Sequence, residues 1–176
     1  MAGDARRVFS TAEVFRDGSR ILSNHLPNVM FPWVMCASFS LELCLKCLIL
    51  IEGGASAGHN LETLFRKKLS RESQEAIQAN YEKKRAQQDA IFAAAVAVGQ
   101  IPPPPKSDFD FVLHASAEAF TKFRYAYEGL VGNQQGWLAG QIGESVRERI
   151  IELNPDWADV RYPTNQELTI TSSGSP

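Results

Sequence analysis

FPWVMCASFSLELCLKCLILIEGG, residues 31–54, is the stretch whose reading decides the fold. It is the longest apolar run in the chain. Pro32 stands where a first helical turn tolerates proline, and Gly53-Gly54 supply a stop. Only Glu42, Lys46 and Glu52 carry charge in it. Apolar residues fall on every side of the helix this predicts, so other helices must surround it. Glu42 and Lys46 are one turn apart in the favourable acid-first order. A charged pair on such a helix is costly to desolvate and demands partners. The stretch has the length of a bilayer span, but two charges near its middle would each cost several kcal/mol in lipid. The core of a soluble bundle, with no membrane partner, is the expectation.

On the N-terminal side, Phe15, Ile21, Leu22 and Leu26 recur at helical intervals and predict an amphipathic helix over 5–26, ended by Pro27-Asn28. On the other side a GGASAG turn leads to HNLETLFRKKLS, where Asn60 caps a short helix with Leu61, Leu64, Phe65 and Leu69 as its apolar stripe. Ser70 caps a long helix over 70–99, anchored by Ile77, Tyr81, Ile91 and Phe92, with its YEKKR run on a solvated face. Residues 102–105 are a polyproline spacer. Ser107, with Asp110 at the third helical position, opens a helix to about 127 that carries Phe109, Leu113, Phe120 and Phe123. The last helix, 137–153, places Leu138, Ile142, Val146 and Ile150 on one face and ends at Asn154-Pro155. No strand pattern and no internal repeat is visible. The reading is an all-α helical bundle of about five to six helices in a single domain, 1–155, followed by a polar, disordered tail, 156–176.

Composition agrees. The 176 residues suit one domain with a core of its own, and 44% hydrophobic with 22% charged residues is ordinary for a globular protein. A net charge of -2 excludes the overall basic field of a non-specific nucleic-acid coat. Cys36, Cys44 and Cys47 all fall in the central helix, where they read as small buried hydrophobes rather than a disulfide framework or a zinc site. That usage, and an N-terminus without a signal-peptide segment, point to a cytoplasmic protein. There is no Walker loop, GxGxxG, HExxH or GxSxG, and no Glu-x-x-His; the three histidines are scattered at 25, 59 and 114. No metal and no cofactor is expected.

A small polar set on apolar helices remains: Glu42, Lys46, His59, Arg124 and Glu128. Arg124 stands among aromatics in FRYAYEG, flanked by Phe123, Tyr125 and Tyr127. One reading has these groups satisfy one another, with Glu42, Lys46 and Glu128 as a structural network that pins two helices. The other has Arg124, Lys46, His59, Tyr125 and Tyr127 line a groove for a phosphate or nucleotide, where arginine offers a bidentate fork and tyrosines stack on bases. Both stay open on the residues alone.

SLELCLKCLILIEGG followed by GHNLETLF, and later FRYAYE, resembles the HEPN domains (higher eukaryotes and prokaryotes nucleotide-binding), over about residues 10 to 153. The resemblance implies a helical bundle that often forms homodimers, in bacterial or archaeal proteins, commonly in defence or toxin-antitoxin settings. Catalytic members are metal-independent ribonucleases with Arg, four to six residues, then His. Here Gly129, Leu130 and Val131 stand where that histidine should follow Arg124, and none can transfer a proton. Arg20 and His25 fit the spacing, but in the first helix. The resemblance therefore implies a non-catalytic or degenerate HEPN-like protein that binds RNA or a nucleotide. The alternatives are an active ribonuclease with a noncanonical site and a purely structural protein-interaction bundle.

Overall fold

The computed structural model describes residues 2–26, 28–97, 108–117 and 139–161. Among them six α-helices follow one another: α1 (Ala2–Ser23), α2 (Met30–Ile51), α3 (Leu61–Lys68), α4 (Arg71–Ala97), α5 (Phe109–Ser116) and α6 (Ala139–Leu153). A 3-10 turn, Pro155–Trp157, closes the series. There is no strand among the described residues. The chain is the all-α bundle its periodicities predict.

α2 is the helix the others cover. Leu41, Leu45, Leu48 and Ile49 are fully buried, each stabilising the fold by about 1.5–3 kcal/mol relative to exposure. α1 packs against α2 in the largest interface, and α6 makes the next. Along α1, Ala12 accepts a hydrogen bond from Ser40 Oγ at 3.0 Å, and Phe15 meets Phe39 edge-on at 4.6 Å. Gly18 faces Cys36, whose Sγ would stand 3.9 Å from a Cβ there. Later residues of α1 meet earlier residues of α2, so the two helices run antiparallel. α2 is long and apolar enough to cross a membrane, yet 61% of its most apolar window is buried by the bundle.

The ends of α2 follow from its sequence. Pro32 lies in the first turn, where its missing N–H costs nothing. At the other end Gly53 takes φ +80. Its N–H reaches Leu50 O at 3.1 Å, and the Gly54 N–H reaches Ile49 O at 2.8 Å. This Schellman pair satisfies carbonyls that a helix end leaves bare. Glu52, just past the helix, accepts from both the N–H and the hydroxyl of Ser70, each at 2.7 Å. Ser70 Oγ in turn accepts from the Ser73 N–H at 3.2 Å, capping α4 as expected. Asn60 caps α3 through the Thr63 N–H at 2.8 Å, and Leu61, Leu64, Phe65 and Leu69 are buried as a stripe.

Several expectations need correction. α1 buries Ala5, Phe9 and Ala12, while Ile21 is 63% and Leu26 39% exposed. The small alanines let the helix sit close to its neighbours, and the larger apolar residues downstream face out. α5 is capped by Asp108, whose side chain accepts from the Phe111 N–H at 2.9 Å. Asp110 instead pairs with Arg66 at 2.8 Å. Packing continues past residue 155: Trp157 is buried and stacks on Phe9 at 5.8 Å. Expectations for Ser107, for the polyproline spacer, for residues 118–138 and for 162–176 fall outside the described residues, as do the side chains of Ile91 and Phe92.

Candidate functional site

The first cluster grows from the polar stripe on α2. Glu42 is completely buried. Lys46 Nζ donates to its Oε1 at 2.8 Å, and His59 Nδ1 lies 2.9 Å from the same oxygen. Gly58, with φ +99, turns the chain back so that His59 arrives over α2 just before the Asn60 cap. Glu42 Oε2 is buried with no hydrogen-bond partner among the described residues. Two of the residues expected to bind ligand, Lys46 and His59, are thus brought together, and both are engaged by one carboxylate oxygen. The other expected members, Arg124, Tyr125, Tyr127 and Glu128, lie outside the described residues.

A second site lies between α1, α2 and α6. α1 carries Glu13-x-x-Arg16 and α6 carries Glu144-x-x-Arg147. Because the two helices run antiparallel, each glutamate meets the other helix's arginine. Arg147 Nε reaches the two Glu13 carboxylate oxygens at 3.0 and 2.9 Å. Arg16 forks onto Glu144 at 2.6 and 3.2 Å. Burial opposes the charge on Arg16, but the Glu144 hydrogen bond and charge, with Glu13 and Asp17 nearby, raise its pKa above the ordinary value. Nothing in the residue types alone pointed to this clamp; the repeated Glu-x-x-Arg spacing was the available signal.

Beside the clamp opens a hollow of about 340 Å³. Trp33, Ala37 and Cys44 of α2 form its apolar side, Gly140 and Gly143 of α6 face them, and Arg16 and Arg20 stand at the mouth. A Cβ at Gly140 would meet nothing within 4 Å, so no packing requirement excludes a side chain there; the glycine leaves the slot open. Arg16 is committed to Glu144. The Arg20 side chain is 69% exposed and reaches Asp17 only at 3.6 Å, which leaves it the readiest cation for a ligand. His25, the sequence partner of Arg20, sits exposed in the turn after α1 and lines none of these surfaces.

Cys44 and Cys47 are the buried apolar groups expected, whereas Cys36 is half-buried. Burial pushes the Cys44 thiol well up, and that of Cys47 to about 12. All three are free. No group of three metal-ligating side chains occurs among the described residues. Comparison with family models, with curated proteins and with solved structures returned no match.

Proposed function

We propose that the chain is a non-catalytic or degenerate HEPN-like protein of the bacterial cytoplasm, a homodimer that binds RNA or a nucleotide, in a defence or toxin-antitoxin setting. The observation that carries the ligand is the hollow between α1, α2 and α6. It combines the Trp33 side chain in its lining, a wall at Gly140 where a Cβ would meet nothing within 4 Å, and the exposed guanidinium of Arg20. A base stacks in such a slot while a phosphate meets the arginine fork. This shifts the ligand site away from Lys46 and His59, whose Nζ and Nδ1 both converge on Glu42 Oε1. For the homodimer, the support is a row of exposed apolar residues at the α1–α2 turn, Ile21, Leu26, Met30 and Phe31.

The test is a titration of the purified protein with adenosine 5′-monophosphate and with short single-stranded RNA over a salt series, with cleavage monitored in EDTA. Salt-dependent binding without cleavage is the expected outcome. Arg20→Ala weakens it about tenfold, as loss of a charge-assisted contact does. Gly140→Leu abolishes it while the protein stays folded. Cleavage in EDTA would instead establish the alternative of a metal-independent ribonuclease with a noncanonical site. Absence of both binding and cleavage would favour a structural protein-interaction bundle, the reading that the convergence of Lys46 and His59 on the buried Glu42 supports.

A further inference from the structure

The ion-pair clamp is a partition with a second hollow, of about 480 Å³, on its far side. Arg16 and Arg20 line both hollows, and Arg147, Asp159 and Arg161 close the second. The charges there are not equivalent. Glu13 is held by Arg147, and Asp17 lies between Arg16 at 3.8 Å and Arg20 at 3.6 Å. Arg161 is exposed and makes no ion pair with the described residues. With Arg16 neutralised by Glu144 and Arg147 by Glu13, Arg20 and Arg161 are the lining arginines outside the clamp, and Arg20 is shared with Asp17. The unengaged cation sits on the side away from the base slot, and Arg20 overhangs the boundary.

We propose that this second hollow is an anion subsite, in which Arg20 and Arg161 hold a second phosphate of a ligand whose base occupies the first. The proposal rests on the nucleotide reading above and narrows it. The preferred ligand carries two successive phosphates joined through a sugar, and a mononucleotide fills only half of the surface. The clamp between the hollows fixes their spacing, because Glu13, Arg16, Glu144 and Arg147 neutralise one another and hold α1 against α6.

The experiment compares adenosine 5′-monophosphate with the 5′-phosphorylated, 2′-O-methylated adenosine dinucleotide, which no 2′-hydroxyl chemistry can cleave. The dinucleotide should bind about tenfold more tightly, the gain expected of one further arginine–phosphate contact, and with a steeper salt dependence. Arg161→Ala should remove that gain and leave the monophosphate affinity unchanged, Arg161→Lys should keep part of it, and Asp159→Asn should enlarge it. Equal affinity of the two ligands for the wild-type protein overturns the subsite, as does a gain that survives Arg161→Ala. Failure of both ligands to bind overturns the nucleotide reading itself, and the subsite with it.

Discussion

Glu42 is the residue at which the cost of a polar group in the core is most exposed to measurement. Its carboxylate is fully buried, and one oxygen serves both Lys46 and His59 while the other has no partner among the described residues. Removing Lys46 leaves a buried charge with a single surface-facing partner. Lys46→Met should therefore destabilise by about 3 kcal/mol in urea unfolding. Glu42→Gln should cost less, because the Lys46 ammonium is 18% exposed and its flexible stem can carry it to water. The double variant should recover part of the Lys46→Met loss, and strict additivity would show that the two groups do not interact. The Glu42–Lys46 pair was legible from its four-residue spacing. The approach of His59 was not, because it depends on a loop conformation that only a left-handed glycine at 58 permits.

A second residue-scale effect concerns pH. Glu62 accepts from His114 and Arg66, at 3.2 and 3.1 Å. The His114 hydrogen bond pulls its pKa below the usual 4.5; burial opposes this, and the Arg66 hydrogen bond and the charges of both partners add to the lowering. A depressed carboxylate stabilises the fold fully above its unfolded value, and the contribution disappears as pH falls through the folded one. Stability should thus decline below about pH 4.5. Glu62→Gln should flatten that acid limb in chemical denaturation at stepped pH; an unchanged limb would remove Glu62 from the account.

At the scale of elements, the boundaries that carried a cap were read well and the faces less so. Asn60, Ser70 and Gly53 each announce themselves by residue type, and each makes the hydrogen bond its type implies. Gly53→Ala forces a Cβ into a left-handed position and should cost about 1 kcal/mol. Asn60→Ala should cost a similar amount, about 1 kcal/mol, by leaving the Thr63 N–H without its partner. Measured together in urea, the two should nearly add, since the caps share no atoms. For α1 the periodicity of large apolar residues misled. Its buried face is built on Ala5 and Ala12, which hydrophobic patterning weights lightly, and which side is buried is set by the neighbours it meets. For α5 the sequence pointed to Ser107 as the cap with Asp110 completing the box, whereas Asp108 accepts from the Phe111 N–H and Asp110 turns to Arg66. The cysteines of α2 provide an independent check on burial. Cys47, its thiol held at about 12 by burial, should resist a thiol-specific reagent in the native protein and react only on unfolding.

The whole molecule is closed by contacts between its first and last helices, which no local pattern foretells. Phe9 stacks on Trp157, and Glu13 and Arg16 pair with Arg147 and Glu144 across more than a hundred residues of chain. The two Glu-x-x-Arg segments could be seen in the sequence, but their meaning requires knowing that α1 and α6 both pack on α2 and run antiparallel to each other. The same closure creates both hollows, so the candidate site was legible only once the bundle was assembled. The clamp can be tested by exchanging its charges. Arg147→Glu sets a third acid beside Glu13 and Glu144 and should destabilise by about 3–5 kcal/mol, the range for breaking a largely buried pair. Adding Glu13→Arg rebuilds an opposite pair at the same place and should restore part of that loss. Restoration cannot be complete, because Arg16 Nη1 lies 3.9 Å from the Glu13 carboxylate and would then face a like charge. A swap no more stable than Arg147→Glu alone would mean that the clamp acts through packing of its side-chain stems, and that charge does not set the register of the two helices.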